Sequence, residues 1–162
     1  MLYANLLAAY EIVGGAVRLI ILVACLACLW LGAARADETE IGMVKTLKGQ
    51  VFVTHAGARE SARIGEKVYQ NDTVETGEDG AIGITFVDNT TISLGPQSQI
   101  ALTSFVFDPQ SDKFAFAANL AKGTLMYASG LIGKLSPQSV SVQTPVSTIG
   151  IRGTRFLVKV AP

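Results

Sequence analysis

Hydrophobic and polar positions alternate most cleanly over residues 81–87, where Ile82, Ile84 and Phe86 share one parity. A period of two puts those side chains on one face of a strand. Asp88-Asn89 follows, and both residues tolerate the left-handed backbone of a two-residue hairpin turn. Residues 90–94 then return with Ile92 and Leu94 on one face, until Gly95-Pro96 stops the run. Together they predict a β-hairpin. Further extended runs cover residues 50–54, 100–107, 113–118, 123–127 and 140–143, separated by Gly, Asn, Asp and Pro. Residues 119–122 are the one place where a helix fits, and they are too few to form one alone. Residues 128–137, with Gly130 and Gly133, read as a flexible connection. The pattern predicts an all-β fold: a single domain of short, mostly antiparallel strands in a sandwich or roll.

The closing run contains a conflict. Ile149 and Ile151 have one parity; Phe156, Val158 and Val160 have the other. A strand cannot exchange faces without an irregularity. Gly150 and Gly153 flank the change, so a bulge or sharp bend is expected there, with Arg152 upon it. Arg155 and Lys159 are expected to point away from the Phe156 face. This last strand is also the expected open edge of the sheet.

The N-terminus changes the picture of the whole. Arg18 precedes an apolar run from Leu19 to Leu31, then Ala34-Arg35-Ala36 and an acidic stretch beginning at Asp37. These are the parts of a secretory signal, with the expected cut between Ala36 and Asp37. The uncharged stretch is shorter than the roughly 20 residues of a spanning helix. A retained membrane anchor over residues 19–36 is the alternative, and Leu22-Val23-Ala24-Cys25 also fits a lipid-attachment box. The expected organisation is a leader at residues 1–36 and a β domain at 41–162.

Composition narrows the function classes. The chain has 162 residues, and both of its cysteines, Cys25 and Cys28, lie in the leader. The remainder therefore offers neither a disulfide nor a thiol. Its seven Lys and four Arg face twelve carboxylates. That balance argues against nucleic acid and against a strongly anionic membrane surface as partner. Membrane contact is expected only through an uncleaved N-terminal segment.

Candidate chemistry is sparse. Glu75, Glu78, Asp79 and Asp88 match no calcium loop and read as solvated turns, as do Thr76-Gly77 and Asp79-Gly80. His55 is the only histidine. A metal site or a Ser-His-acid triad would have to use it, and no nucleophile elbow is present. Ser93 and Ser98 read as turn and strand surface. No cofactor or metal is expected, nor an enzyme; an envelope hydrolase is the remote alternative. Arg152 reads first as a structural tie to Asp72, Asp79 or Asp88, and second as a ligand contact. Phe105, Phe107, Phe114, Phe116 and Tyr127 form an aromatic middle, with alternate members directed to the core.

Several segments, in order, resemble the FecR-type domain. They are Gly49–Val53, then Ile64–Gly77 with Asp72, Thr76 and Gly77, and the hairpin with Asp88-Asn89. Pro96–Ser98 and Gly123-Thr-Leu follow, and the run closes on Thr144-Pro145 and Gly150-Ile-Arg152-Gly153-Thr154. Asn71 stands where that family usually has Gly. The resemblance implies an exported all-β module, periplasmic or secreted, that binds or senses through an envelope protein or a cell-surface polysaccharide. The family's cytoplasmic sigma-binding segment has no counterpart here: too few residues precede Leu19 to fold as one. A membrane-anchored signalling regulator is the alternative reading.

Overall fold

A computed structural model describes residues 38–150 and 155–161. Among them are twelve strands joined in one continuous sheet. In chain order these are β1 (Glu40–Lys48), β2 (Val51–His55), β3 (Ala58–Ser61), β4 (Lys67–Tyr69), β5 (Thr73–Thr76), β6 (Ala81–Phe86), β7 (Thr91–Leu94), β8 (Gln99–Asp108), β9 (Lys113–Ala128), β10 (Val140–Gln143), β11 (Thr148–Gly150) and β12 (Arg155–Val160). A five-residue helix α1 (Leu131–Leu135) and a 3-10 turn (Pro137–Ser139) lie between β9 and β10. Among the described residues no helix is long and apolar enough to cross a membrane.

The sheet curls over at β9, whose length serves two halves. The N-terminal part of β9 lies in the order β3-β2-β5-β8-β9, with β10 and β11 beyond it. The C-terminal part lies in the order β4-β1-β6-β7-β9, with β12 beyond it. All pairings are antiparallel except β10 with β9. The inward faces meet in one core. Phe86 of β6 stacks on Phe105 of β8 at 5.4 Å and meets Phe116 of β9 edge-on at 5.2 Å. Each such ring contributes about 1.5–3 kcal/mol through burial.

The all-β class and mostly antiparallel pairing agree with the sequence pattern, and the 81–94 hairpin forms with the expected faces. Its connection differs. The Phe86 amide donates to the Thr90 carbonyl and the Asn89 amide to the Phe86 carbonyl, so three residues, not two, make the loop. Only Asn89 has positive φ, at 64°. This is the three-residue loop that ends on a left-handed residue.

Residues 113–118 and 123–127, expected as separate strands, belong to one strand, and residues 119–122 are strand, not helix. Inward positions change parity between Leu120 and Leu125, and Gly123 absorbs the change with φ +90°. A Cβ on Gly123 would stand 2.2 Å from Ser98 Oγ, so glycine is required there. A bulge between Leu102 and Ser104 makes the same exchange in β8, from Ile100 and Leu102 to Phe105. The closing run changes pairing partner across the stretch where a bulge or sharp bend was expected. β11 pairs with β10 in one half, and β12 pairs with β9 in the other. Residues 151–154, which connect them, lie outside the described residues. Arg155, Leu157 and Lys159 face outward and Phe156, Val158 and Val160 inward, as expected.

Candidate functional site

Buried polar side chains gather where the chain passes between the two halves. Asp72, Thr76, Asp88, Thr90 and Ser98 are all buried. Each satisfies backbone groups that a turn leaves without ladder partners.

Thr76 ends β5 and Ser98 precedes β8. The Thr76 hydroxyl donates to the Gly95 carbonyl at 2.7 Å and accepts from the Ser98 amide at 2.8 Å. The Ser98 hydroxyl donates to the Gly95 carbonyl at 2.9 Å and accepts from the Thr124 amide at 2.9 Å. Gly77 joins the same corner, donating its amide to Gln50 and accepting from the Gln97 amide. Ser98 is therefore an internal tie and not surface, as the sequence had suggested.

Asp88 holds the next crossing. Its carboxylate accepts from the Thr90 amide (2.9 Å), the Thr90 hydroxyl (2.7 Å) and the Ile132 amide (3.1 Å). Its own carbonyl accepts from the Leu131 amide at 2.8 Å. The first turn of α1 is thus pinned onto the hairpin loop. A Cβ on Gly130 would lie 2.2 Å from the Thr90 nitrogen, which explains the glycine. Residues 128–137, expected as flexible, carry this docked helix. Asp88 and Thr76 are buried, where the sequence suggested solvated turns; Glu78 and Asp79 are exposed.

Asp72 follows Asn71, which takes φ 69° between β4 and β5. One carboxylate oxygen accepts from the Tyr69 amide at 2.8 Å. The other lies 2.6 Å from His55 Nδ1. His55 Nε2 lies 3.1 Å from Glu38, and the His55 ring packs on Tyr69 with centroids 4.7 Å apart. The hydrogen bond to Asp72 raises the His55 pKa above its ordinary value, against partial burial, and the charges of Asp72 and Glu38 add to it. A Ser-His-Asp relay needs a hydroxyl at the nitrogen away from the acid. Here that nitrogen meets a carboxylate. This His–acid grouping was not foreseen, because His55 and Asp72 are 17 residues apart and no motif links them. Among the described residues no group of three or more His, Cys, Asp or Glu is placed to hold a metal ion.

The closing motif is seen in part. Thr144 and Ser147 close the β10–β11 turn: the Thr144 hydroxyl donates to the Ser147 carbonyl at 2.9 Å and accepts from the Ser147 amide at 3.1 Å. Pro145 is exposed and Val146 is 90% exposed at the tip. Gly150 ends β11, and among the described residues nothing lies within 4 Å of where a Cβ would be. Arg152, Gly153 and Thr154 lie outside the described residues. Among the described residues, Asp72 pairs with His55, Asp88 accepts from Thr90 and Ile132, and Asp79 accepts from the Gln50 amide at 3.3 Å.

Surface features that suit recognition lie elsewhere. One is the outer side of β12, which pairs only with β9 among the described residues. Leu157 is 66% exposed there beside its register partner Met126. Another is a cleft of about 410 Å³ lined by Phe105, Phe107, Val87, Gln70, Asn71 and the segment from Glu38 to Ile41.

The family profile described as FecR protein matches residues 72–162. The match begins at the Asp72 corner and takes in the hairpin, β9 and the closing motif. Among solved structures, the chain is similar to one described as a cell surface anchoring domain, with 32% sequence identity and a TM-score of 0.39. The overlap covers 40% of this chain and 87% of that one. No curated protein matches the chain.

Proposed function

The chain belongs to the FecR family, and on that premise we propose that its β domain is an exported, non-catalytic binding or sensing module of the bacterial envelope. Its partner is an envelope protein, docked along the outer edge of β12. The observation that carries this reading is that edge. Among the described residues, one side of β12 is hydrogen-bonded to β9, and the other presents main-chain donors and acceptors with Arg155, Leu157 and Lys159 exposed beside them. Such an edge accepts an added strand, with backbone bonds supplying affinity and side chains supplying choice. Two further points support a role without catalysis. The corner residues Asp72, Thr76, Asp88 and Ser98 engage backbone or His55, and the free nitrogen of His55 meets Glu38 and not a nucleophile. A cell-surface polysaccharide is the second reading, favoured by half-buried Phe107 in the 410 Å³ cleft beside Gln70 and Asn71.

Fractionation of cells producing the full-length chain, with N-terminal sequencing, tests export. The expected mature start is Asp37; an intact residue 1 in the membrane fraction favours the anchored regulator instead. Co-sedimentation with isolated envelopes tests binding. Leu157→Asp is expected to weaken retention by roughly tenfold or more, as for a residue central to an interface. Cytoplasmic accumulation of the chain overturns the module, and equal retention of wild type and Leu157→Asp overturns the edge.

A further inference from the structure

His55 touches both a buried corner and the first described residues of the domain. Its two carboxylate partners differ in kind. Asp72 is 1% exposed and fixed by the Tyr69 amide. Glu38 is 54% exposed at its side chain and precedes β1. A neutral imidazole carries one N–H, whereas an imidazolium carries two. The Asp72 carboxylate only accepts, so the neutral ring keeps its proton on Nδ1. Nε2 then turns a lone pair toward the Glu38 carboxylate, which is repulsive. The imidazolium donates to both acids. Ionisation of His55 therefore decides the Glu38 contact and leaves the Asp72 contact in place.

We propose that His55 is a pH-operated latch: its protonated ring fastens residues 38 and 39, just ahead of β1, to the β4–β5 corner, and loss of the proton releases them. Asp72 and Glu38 favour the charged ring, and partial burial opposes it. β3 places Glu60, the turn before β4 places Glu66, and β4 places Lys67 and Tyr69 in the same cleft of about 310 Å³. Lys67 is paired with Glu40 at 3.0 Å, so its charge is largely answered. The raised pKa of His55 agrees with this setting. Glu38 also lines the cleft that holds Phe107. Opening the latch therefore alters a wall of that cleft.

The chain has a single histidine, so one imidazole Hε1 resonance reports His55 without assignment. By reciprocity, the tether raises the pKa by the same factor by which protonation strengthens the tether. In the full-length chain, Glu38→Gln is expected to lower the His55 midpoint by about half a pH unit, the scale of an exposed ion pair. Protection factors of amides 39–42 are expected to fall about threefold as pH rises through the wild-type midpoint, the same half unit read from the other side. That step is expected to vanish in Glu38→Gln and in His55→Gln. A midpoint unmoved to within about 0.1 unit in Glu38→Gln overturns the latch. So does a pH-independent protection of amides 39–42 in the wild type.

Discussion

Replacing Asp88 by Ala is the sharpest probe of how the crossings are held. The carboxylate is fully buried and accepts three hydrogen bonds, from the Thr90 amide, the Thr90 hydroxyl and the Ile132 amide. Alanine leaves two buried amides without partners, each costing about 1–3 kcal/mol, and frees a hydroxyl that can turn elsewhere. The expected loss is about 3–5 kcal/mol, a large share of the roughly 5–15 kcal/mol that holds a domain folded. For a domain of this size it corresponds to a fall in Tm of roughly 10–20 °C. Urea unfolding followed by tryptophan-independent far-ultraviolet circular dichroism measures it, with an unchanged slope marking a pure stability effect. Asp88→Asn keeps an oxygen for one amide and is expected to lose less, about 1–3 kcal/mol. Amide exchange at Gly130 and Ile132 is expected to accelerate before the rest of the domain opens, since α1 is pinned by that carboxylate. A loss below about 1 kcal/mol for Asp88→Ala, or unaltered exchange at Ile132, refutes the view that the corner carboxylate docks α1.

Three other outcomes are expected. Gly123→Ala forces a side chain into Ser98 Oγ at φ +90°, and thermal unfolding should show a loss of at least about 2 kcal/mol. The raised His55 pKa gives stability that is fully present below the ordinary value of 6.5 and lost as pH rises through the folded-state value. Because the ring is 41% exposed, the effect should stay under about 1 kcal/mol; urea midpoints at low and high pH, absent the difference in His55→Gln, check it. Arg152→Ala is expected from the sequence to lower the melting temperature more than it weakens envelope binding, and unchanged unfolding with lost binding would reverse that assignment.

What was legible in the sequence is what period-two alternation encodes. Ile82, Ile84 and Phe86 against Ile92 and Leu94 fixed both the hairpin and its buried face, and the parity conflict between Ile149 and Phe156 marked a real break in the closing run. The same conflict separates Leu120 from Leu125 and Leu102 from Phe105, where it stands for a bent strand and a bulged one. Parity reveals that the face has changed. It does not reveal whether the chain bends, bulges or changes partner, because that depends on strands distant in sequence. The corners were illegible for a related reason. A short polar residue beside Gly or Asn reads as a solvated turn, and only the folded chain shows that Thr76, Asp88 and Ser98 turn inward to serve amides. The His55–Asp72 pair depends on β2 lying beside β5, a pairing that no local pattern announces.

Strand β9 passes through both halves of the sheet without interruption, and β12 is laddered along its C-terminal part. A tug delivered to β12 by anything bound there would be carried along a single backbone into either side of the domain. The strands laddered directly to β9, namely β7, β8 and β10, are the first to feel that pull.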